Sequence, residues 1–439
     1  MGISDILSKV TGDKPIVLEL DMARGVLVSR PSNPLQALQL INSTSLASLR
    51  DHLRTAADDD RVVGLIVHAV PSSTTIAHAE EIAELIEEFG AKKKTMAWAE
   101  SFGELTHGLG AYHLATAARE IWLQPTGAVC IEGLEMSMTL LKGLLNKVGV
   151  EPQFGQRHEY KTAANTYAAD HITEPQREMT ARLGLSFDAS LVSVIAWRRM
   201  LSTVAVWVAV NDAPVEPERA LEIGLIDKIG YRDEAYAAVL KAWQVEPEYL
   251  LFAHRYSNKA ELAKKLRPKG PKIGLVQLRG GIVTGRGARS ALGGQNAGAD
   301  VIDEQLRSAL RDDDVKAVVF SIDSPGGSAV ASDFIRRSVL RLREAGKPVV
   351  AHMESVAASG GYYVAMPADE IVAQATTLTG SIGVLAGKMV TEGLYDKLGL
   401  VRETINVGAA AGTFSTAQEF TEADWERLNR FLDRVYLDF

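Results

Sequence analysis

Several things are scarce in this 439-residue chain, and each scarcity excludes a class of function. There is one cysteine, Cys130, so neither a disulfide framework nor a thiolate metal site is available. The nine histidines are scattered, with no HExxH or paired spacing, which leaves zinc hydrolysis without ligands; no metal and no cofactor is expected. Positive charge is not in excess. The formal net charge is -8, and nucleic acid is not an expected partner because phosphate binding needs a basic footprint. The one basic stretch, "HRYSNKAELAKKLRPKGPK" at 254–272, reads as a solvated linker. Long hydrophobic runs are missing too: the strongest, "VAVWVAV" at 204–210, falls far short of the roughly 18 residues of a membrane span. The opening "MGISDILSKVTGDKPIVLELD" has neither a long apolar core nor a small-residue cleavage site, so no signal peptide is expected and the chain reads as soluble.

What is present is enough length for two cores and an internal duplication. "GAYHLATAAREIWLQPTGAVCIEG" (110–133) lies over "GGYYVAMPADEIVAQATTLTGSIG" (360–383) at an offset of 250, which also carries "GLLNKVGV" (143–150) onto "GLYDKLGL" (393–400). Upstream, "DDDRVVGLIVHAVP" (58–71) matches "DDDVKAVVFSIDSP" (312–325) at an offset of 254. Each copy alternates β-branched runs with amphipathic patterns: "PIVLELD", "SLASLRDHLRTAA", "VVGLIVHAV", "AEEIAELIEEFG". That alternation predicts an α/β fold of two tandem repeats with largely parallel sheets and flanking helices. The expected domains are 1–253, a linker at 254–272, and 273–439. The second repeat ends in "LNRFLDRVYLDF" without a counterpart of "GLIDKIG" (224–230), so it reads as lacking its final segment.

The duplication is a controlled comparison. Ser359, in "MESVAASGGYYVAM" (353–366), corresponds to Leu109, so only the second copy has the hydroxyl. The turn "DSPGGS" (323–328) corresponds to "AVPSST" (69–74), so only the second copy has the glycines. A Pro-Gly-Gly turn after a buried strand bares backbone N–H groups of the kind an oxyanion hole uses. Gly360, Gly326 and Gly327 are the candidate donors. The first copy has "RHEYKTAANTYAAD" (157–170) instead, and its Lys161 corresponds to Ala411. One copy keeps a serine and the other a lysine, which points to a Ser-Lys dyad built from both copies. A lysine base needs its pKa lowered by roughly 3 units through burial, and the alanines and Tyr167 that follow Lys161 fit such a pocket. A histidine base stays open, with His352, His107 and His158 as candidates. Ser381, in "TLTGSIGVLAG" (377–387), is a second hydroxyl able to orient a neutral lysine amine. "LRGGIVTGRGARSALGGQNAG" (278–298) lacks the GK[ST] of a P-loop and reads as a mobile loop.

"DSPGGS", "AASGGYY", "TLTGSIGV" and "EYKTAAN" together resemble the signature segments of the signal peptide peptidase A (SppA) family, in its long duplicated bacterial form. The resemblance implies a crotonase/ClpP-like fold and a serine endopeptidase acting on remnant signal peptides or other short hydrophobic peptides. It implies Ser359 as nucleophile, Lys161 as general base, Ser381 as the residue positioning the lysine, and Gly360, Gly326 and Gly327 as oxyanion donors. It also implies a homo-oligomer, a tetrameric ring or dome, peripheral at the cytoplasmic membrane. Long members of the family start with a membrane anchor, which this sequence is not expected to carry. Two other readings stand beside it: a crotonase-type acyl-CoA enzyme and a non-catalytic assembly scaffold.

Overall fold

The computed structural model describes residues 14–27, 44–70, 74–103, 107–256, 270–287, 296–405 and 410–439. Residues 1–13, residues 257–269 of the expected linker and residues 288–295 of the glycine-rich stretch lie outside the described residues. In the first half the elements are β1 (Ile16–Asp21), α1 (Leu46–Ala57), β2 (Val62–His68), α2 (Ile76–Gly90), β3 (Lys94–Ala99), α3 (Leu109–Thr116), β4 (Ile121–Leu123), β5 (Glu151–Arg157), α4 (Glu174–Arg199), β6 (Lys228–Ile229), α5 (Arg232–Trp243) and β7 (Leu250–Phe252). The second half has β8 (Lys272–Arg279), β9 (Gly281–Val283), β10 (Asn296–Gly298), α6 (Ala299–Arg311), β11 (Val315–Ser324), α7 (Ala329–Glu344), β12 (Val349–Ala358), α8 (Gly360–Ala365), β13 (Glu370–Ala373), β14 (Leu378–Gly380), β15 (Val384–Val390) and α9 (Glu422–Asp438).

Local sequence explains these elements. The Ser45 side chain caps α1, which then buries Leu46, Leu49, Leu53, Ala56 and Ala57 at helical spacing. β2 is buried along its length except at Val63, as a strand covered on both faces must be. The stretch expected to be a mobile loop, 278–298, is strand over most of its described part: β9 pairs β10 in parallel, and Gly280, Gly285 and Gly287 make the bends with positive φ.

Two compact units emerge. One comprises residues 1–134, 187–269 and 374–376, the other 135–186, 270–373 and 377–439. The expected cut at 254–272 therefore does not describe the packing, because segment 135–186 joins the second unit. The cause is β5, which pairs antiparallel with β15 from Glu151↔Val390 to Arg157↔Val384. Arg157 adds an ion pair to Asp433 on α9. Lys161, four residues after β5, is carried with it.

Both units are α/β. The first has a six-stranded sheet in the order β6-β4-β3-β2-β1-β7, the second β8-β11-β12-β13 with β14 also on β12, and every pairing in both is parallel. The order β4-β3-β2-β1 thus recurs as β13-β12-β11-β8. The caps refine the repeat alignment: Thr75 caps α2 and Ser328 caps α7, an offset of 253 rather than 254. Strand register agrees, since Ile16 pairs Val62 and Lys272 pairs Val315. One residue matters here, because a slip of one exchanges the faces of a strand.

In the first unit α1 and α2 cover one face of the sheet, and α5 covers the other over Val17, Ile66, Met96 and Trp98. The second unit packs α6 and α7 on one face only. α4 is the one helix among the described residues long and apolar enough to cross a membrane, with a mean hydropathy of 1.3 over its most apolar stretch. Its Leu191, Val192, Ile195 and Ala196 are buried in the core of the first unit.

Candidate active site

The site lies within the second unit, where buried β12 ends and α8 begins. Ser359 occupies the joint with φ 52° and ψ -118°, a conformation rarely tolerated by a residue with a side chain. Such strain costs roughly 1–3 kcal/mol and is held by the surroundings. Here the Ser359 amide donates to Gly380 O at 2.9 Å, and the Ser359 carbonyl accepts from the Tyr363 amide at 2.9 Å. The tight joint directs the hydroxyl into a cavity of about 620 Å³.

Lys161 reaches the same cavity. Its Nζ lies 3.1 Å from Ser359 Oγ and 2.8 Å from Ser381 Oγ, and it also contacts Ser381 O at 2.5 Å. The residue is 6% exposed, and burial lowers its pKa from 10.5 to about 8. A neutral amine has two N–H bonds and one lone pair. With both N–H bonds directed at Ser381, the lone pair is left for the Ser359 hydroxyl. Gly383 opens the path for the lysine: with φ +138°, a Cβ there would sit 2.3 Å from Arg157 O and 3.4 Å from Lys161 Cδ.

The glycine turn divides its tasks differently from expectation. The Gly326 amide donates to Ser324 Oγ at 3.1 Å and is not open to an oxyanion. Gly326 has a steric role instead, since a Cβ would come within 2.6 Å of Gly360 N and 2.8 Å of Ser359 Cβ. The amides of Gly327 and Gly360 have no partner among the described residues, and both line the cavity. They are the two donors the geometry leaves available.

Other expected residues fall elsewhere. Tyr167 stacks on Phe154 at 6.1 Å, so the wall beside Lys161 is made by Ala163, Gly383 and Val384. No histidine lines the cavity: His158 packs edge-on against Tyr436, and His107 pairs with Glu132 in the first unit. The sequence reading missed one wall of the cavity, to which Phe431 and Val435 of α9 contribute alongside Val330 and Leu385. A signal for it exists. Thr421 and Asp424 form a capping box, and Leu428, Leu432 and Val435 follow at helical spacing. Among the described residues no group of three or more His, Cys, Asp or Glu could hold a metal.

A family model matches residues 87–246 and 341–439, and it describes peptidase family S49. The chain belongs to peptidase family S49. Relatives of this S49 member include "Serine protease SPPA, chloroplastic" of Arabidopsis thaliana, 33% identical over 84% of this chain and 54% of that protein. "Protease 4" of Haemophilus influenzae is 28% identical over 87% of this chain and 64% of that protein. The chain thus spans less than two thirds of either relative. Among solved structures, an enoyl-CoA hydratase/isomerase family protein from Silicibacter pomeroyi covers 58% of this chain and 85% of its own, at 18% identity and a TM-score of 0.29, too slight a likeness to carry an argument.

Proposed function

We propose that this S49 member is a serine endopeptidase working through a Ser359–Lys161 dyad on short apolar peptides, remnant signal peptides among them. The observation that carries this reading is the buried amine held between Ser359 and Ser381. At pH 8 a lysine of pKa about 8 is half neutral, whereas an ordinary one is neutral in roughly 1 molecule in 300. Neutral Lys161 takes the Ser359 proton as Oγ attacks the peptide carbonyl, and the oxyanion is received by the Gly327 and Gly360 amides. Lys161 then gives the proton to the departing amine, leaving an acyl-Ser359. Water, deprotonated by Lys161, releases the acid and restores the serine. An extended peptide beside β15 would gain backbone hydrogen bonds, and Val330, Leu385, Phe431 and Val435 would select apolar side chains. The same reading extends to a homo-oligomer, a ring or dome peripheral to a membrane, for which sedimentation with and without vesicles is the direct test.

The enzymatic test uses an internally quenched apolar peptide with wild type, Ser359→Ala and Lys161→Ala, and acyl-CoA substrates as a control. Peptide cleavage lost in both variants is expected. Turnover of acyl-CoA, or a wild type inert towards both substrates, would overturn the proposal.

A further inference from the structure

The first unit holds a smaller cavity, of about 240 Å³, at the position where the duplication would put a second active site. Much of its lining follows the repeat. With the cap-defined offset of 253, Thr74, Ile76 and Ala79 stand for Gly327, Ala329 and Ser332, which line the larger cavity. At 250, Leu109, Gly110 and Leu134 stand for Ser359, Gly360 and Val384. At the 248 that superposes the Thr-Glu starts of α4 and α9, Phe187 stands for Val435.

The substitutions share one direction. The nucleophile has become Leu109, which is the first residue of α3 rather than a strained joint before it, and Ser332 has become Ala79. The chemistry has gone while an apolar hollow remains. One carboxylate belongs to the lining: Glu132, partly exposed and 3.0 Å from the more exposed His107. An apolar hollow with a carboxylate in its wall complements a peptide whose apolar run is flanked by Lys or Arg, the pattern shared by the n- and h-regions of signal peptides, with the cation taking the place of His107 on Glu132.

We infer that this first-unit cavity is a non-catalytic peptide-binding site that takes an apolar side chain of a Lys/Arg-flanked segment, with Glu132 contacting the cation. The inference rests on the peptidase reading for the class of ligand. Its test does not need turnover.

The probe is a fluorescent peptide of two lysines followed by six apolar residues, one of them photo-leucine, added to full-length Ser359→Ala protein. Cross-linked adducts in segments 74–79 or 107–134 are expected. Glu132→Lys should weaken binding of the Lys-Lys peptide several-fold and strengthen binding of a Glu-Glu analogue. Ala79→Leu, which fills the hollow, should remove the first-unit adducts; Glu132 is partly exposed, so Glu132→Lys keeps the test valid if Ala79→Leu fails to fold. Adducts confined to segments 325–385 and 431–439, or affinity indifferent to Glu132→Lys, would overturn the inference while leaving the peptidase proposal standing. A protein that cleaves no peptide yet shows the first-unit adducts would do the reverse.

Discussion

The two units are one frame put to two uses. Each sets parallel strands in the same order, caps the helix after β2 or β11 with Thr75 or Ser328, and follows β3 or β12 with another helix. In the second unit that last joint is bent at Ser359 and relieved by Gly326; in the first, Leu109 simply begins the helix. The difference teaches which features the proposed chemistry combines in the second unit alone. Beside the serine these are the left-handed joint, the glycine amides and the amine brought by segment 135–186 into the second unit.

Exchanging the distinguishing residues breaks this comparison most sharply. Ser359→Leu, which copies the first unit, and Lys161→Ala should each lower peptide hydrolysis by at least about 10³-fold. In a Ser359→Ala background, Leu109→Ser should give no residue that reacts with a fluorophosphonate; such labelling would show that the frame alone makes a nucleophile. Next comes Gly383→Ala, where the Cβ meets Arg157 O at 2.3 Å and φ is +138°. A loss of about 3 kcal/mol in chemical denaturation, together with lost activity, is expected.

Lys161→Met should have the opposite sign in stability. Below about pH 8 both folded and unfolded chains hold the Lys161 proton, and the fold bears the cost of the buried charge. Between about 8 and 10.5 the unfolded chain binds more protons, so stability rises with pH across that window and levels off above it. The methionine variant should lack this rise and gain about 2 kcal/mol at pH 7, at the expense of activity.

The smallest effects compare the sheet faces. Under α5, Glu19 is buried and accepts hydrogen bonds from Arg232 and from Tyr236 at 2.9 Å. The matching face of the second unit leaves Ile273 71% and Leu275 59% exposed. Tyr236→Phe should cost about 1 kcal/mol. Leu275→Thr should stay within about 0.5 kcal/mol in the same denaturation experiment.

Much of this was legible because the sequence carries its own comparison. Strand and helix order followed from period and capping, and Ser359, Lys161 and Ser381 stood out as residues that one copy has and the other lacks. What pairwise comparison could not show was three-dimensional bookkeeping. Gly326 looks like a donor until Ser324 Oγ is seen to take its amide. Tyr167 looks adjacent to Lys161 until it is found on Phe154. The crossing of 135–186 depends on a non-local antiparallel pair, β5 with β15, for which β5 "EPQFGQR" offers little apolar alternation.

The most direct measurement is the rate at which a fluorophosphonate acylates Ser359 as a function of pH, in wild type, Lys161→Ala and Ser359→Ala. A rate that rises through a single ionisation near 8, in line with the lowered pKa of Lys161, and disappears in both variants is the expected result. A rate governed by an ionisation near 6.5, the ordinary histidine value, and surviving Lys161→Ala would contradict it.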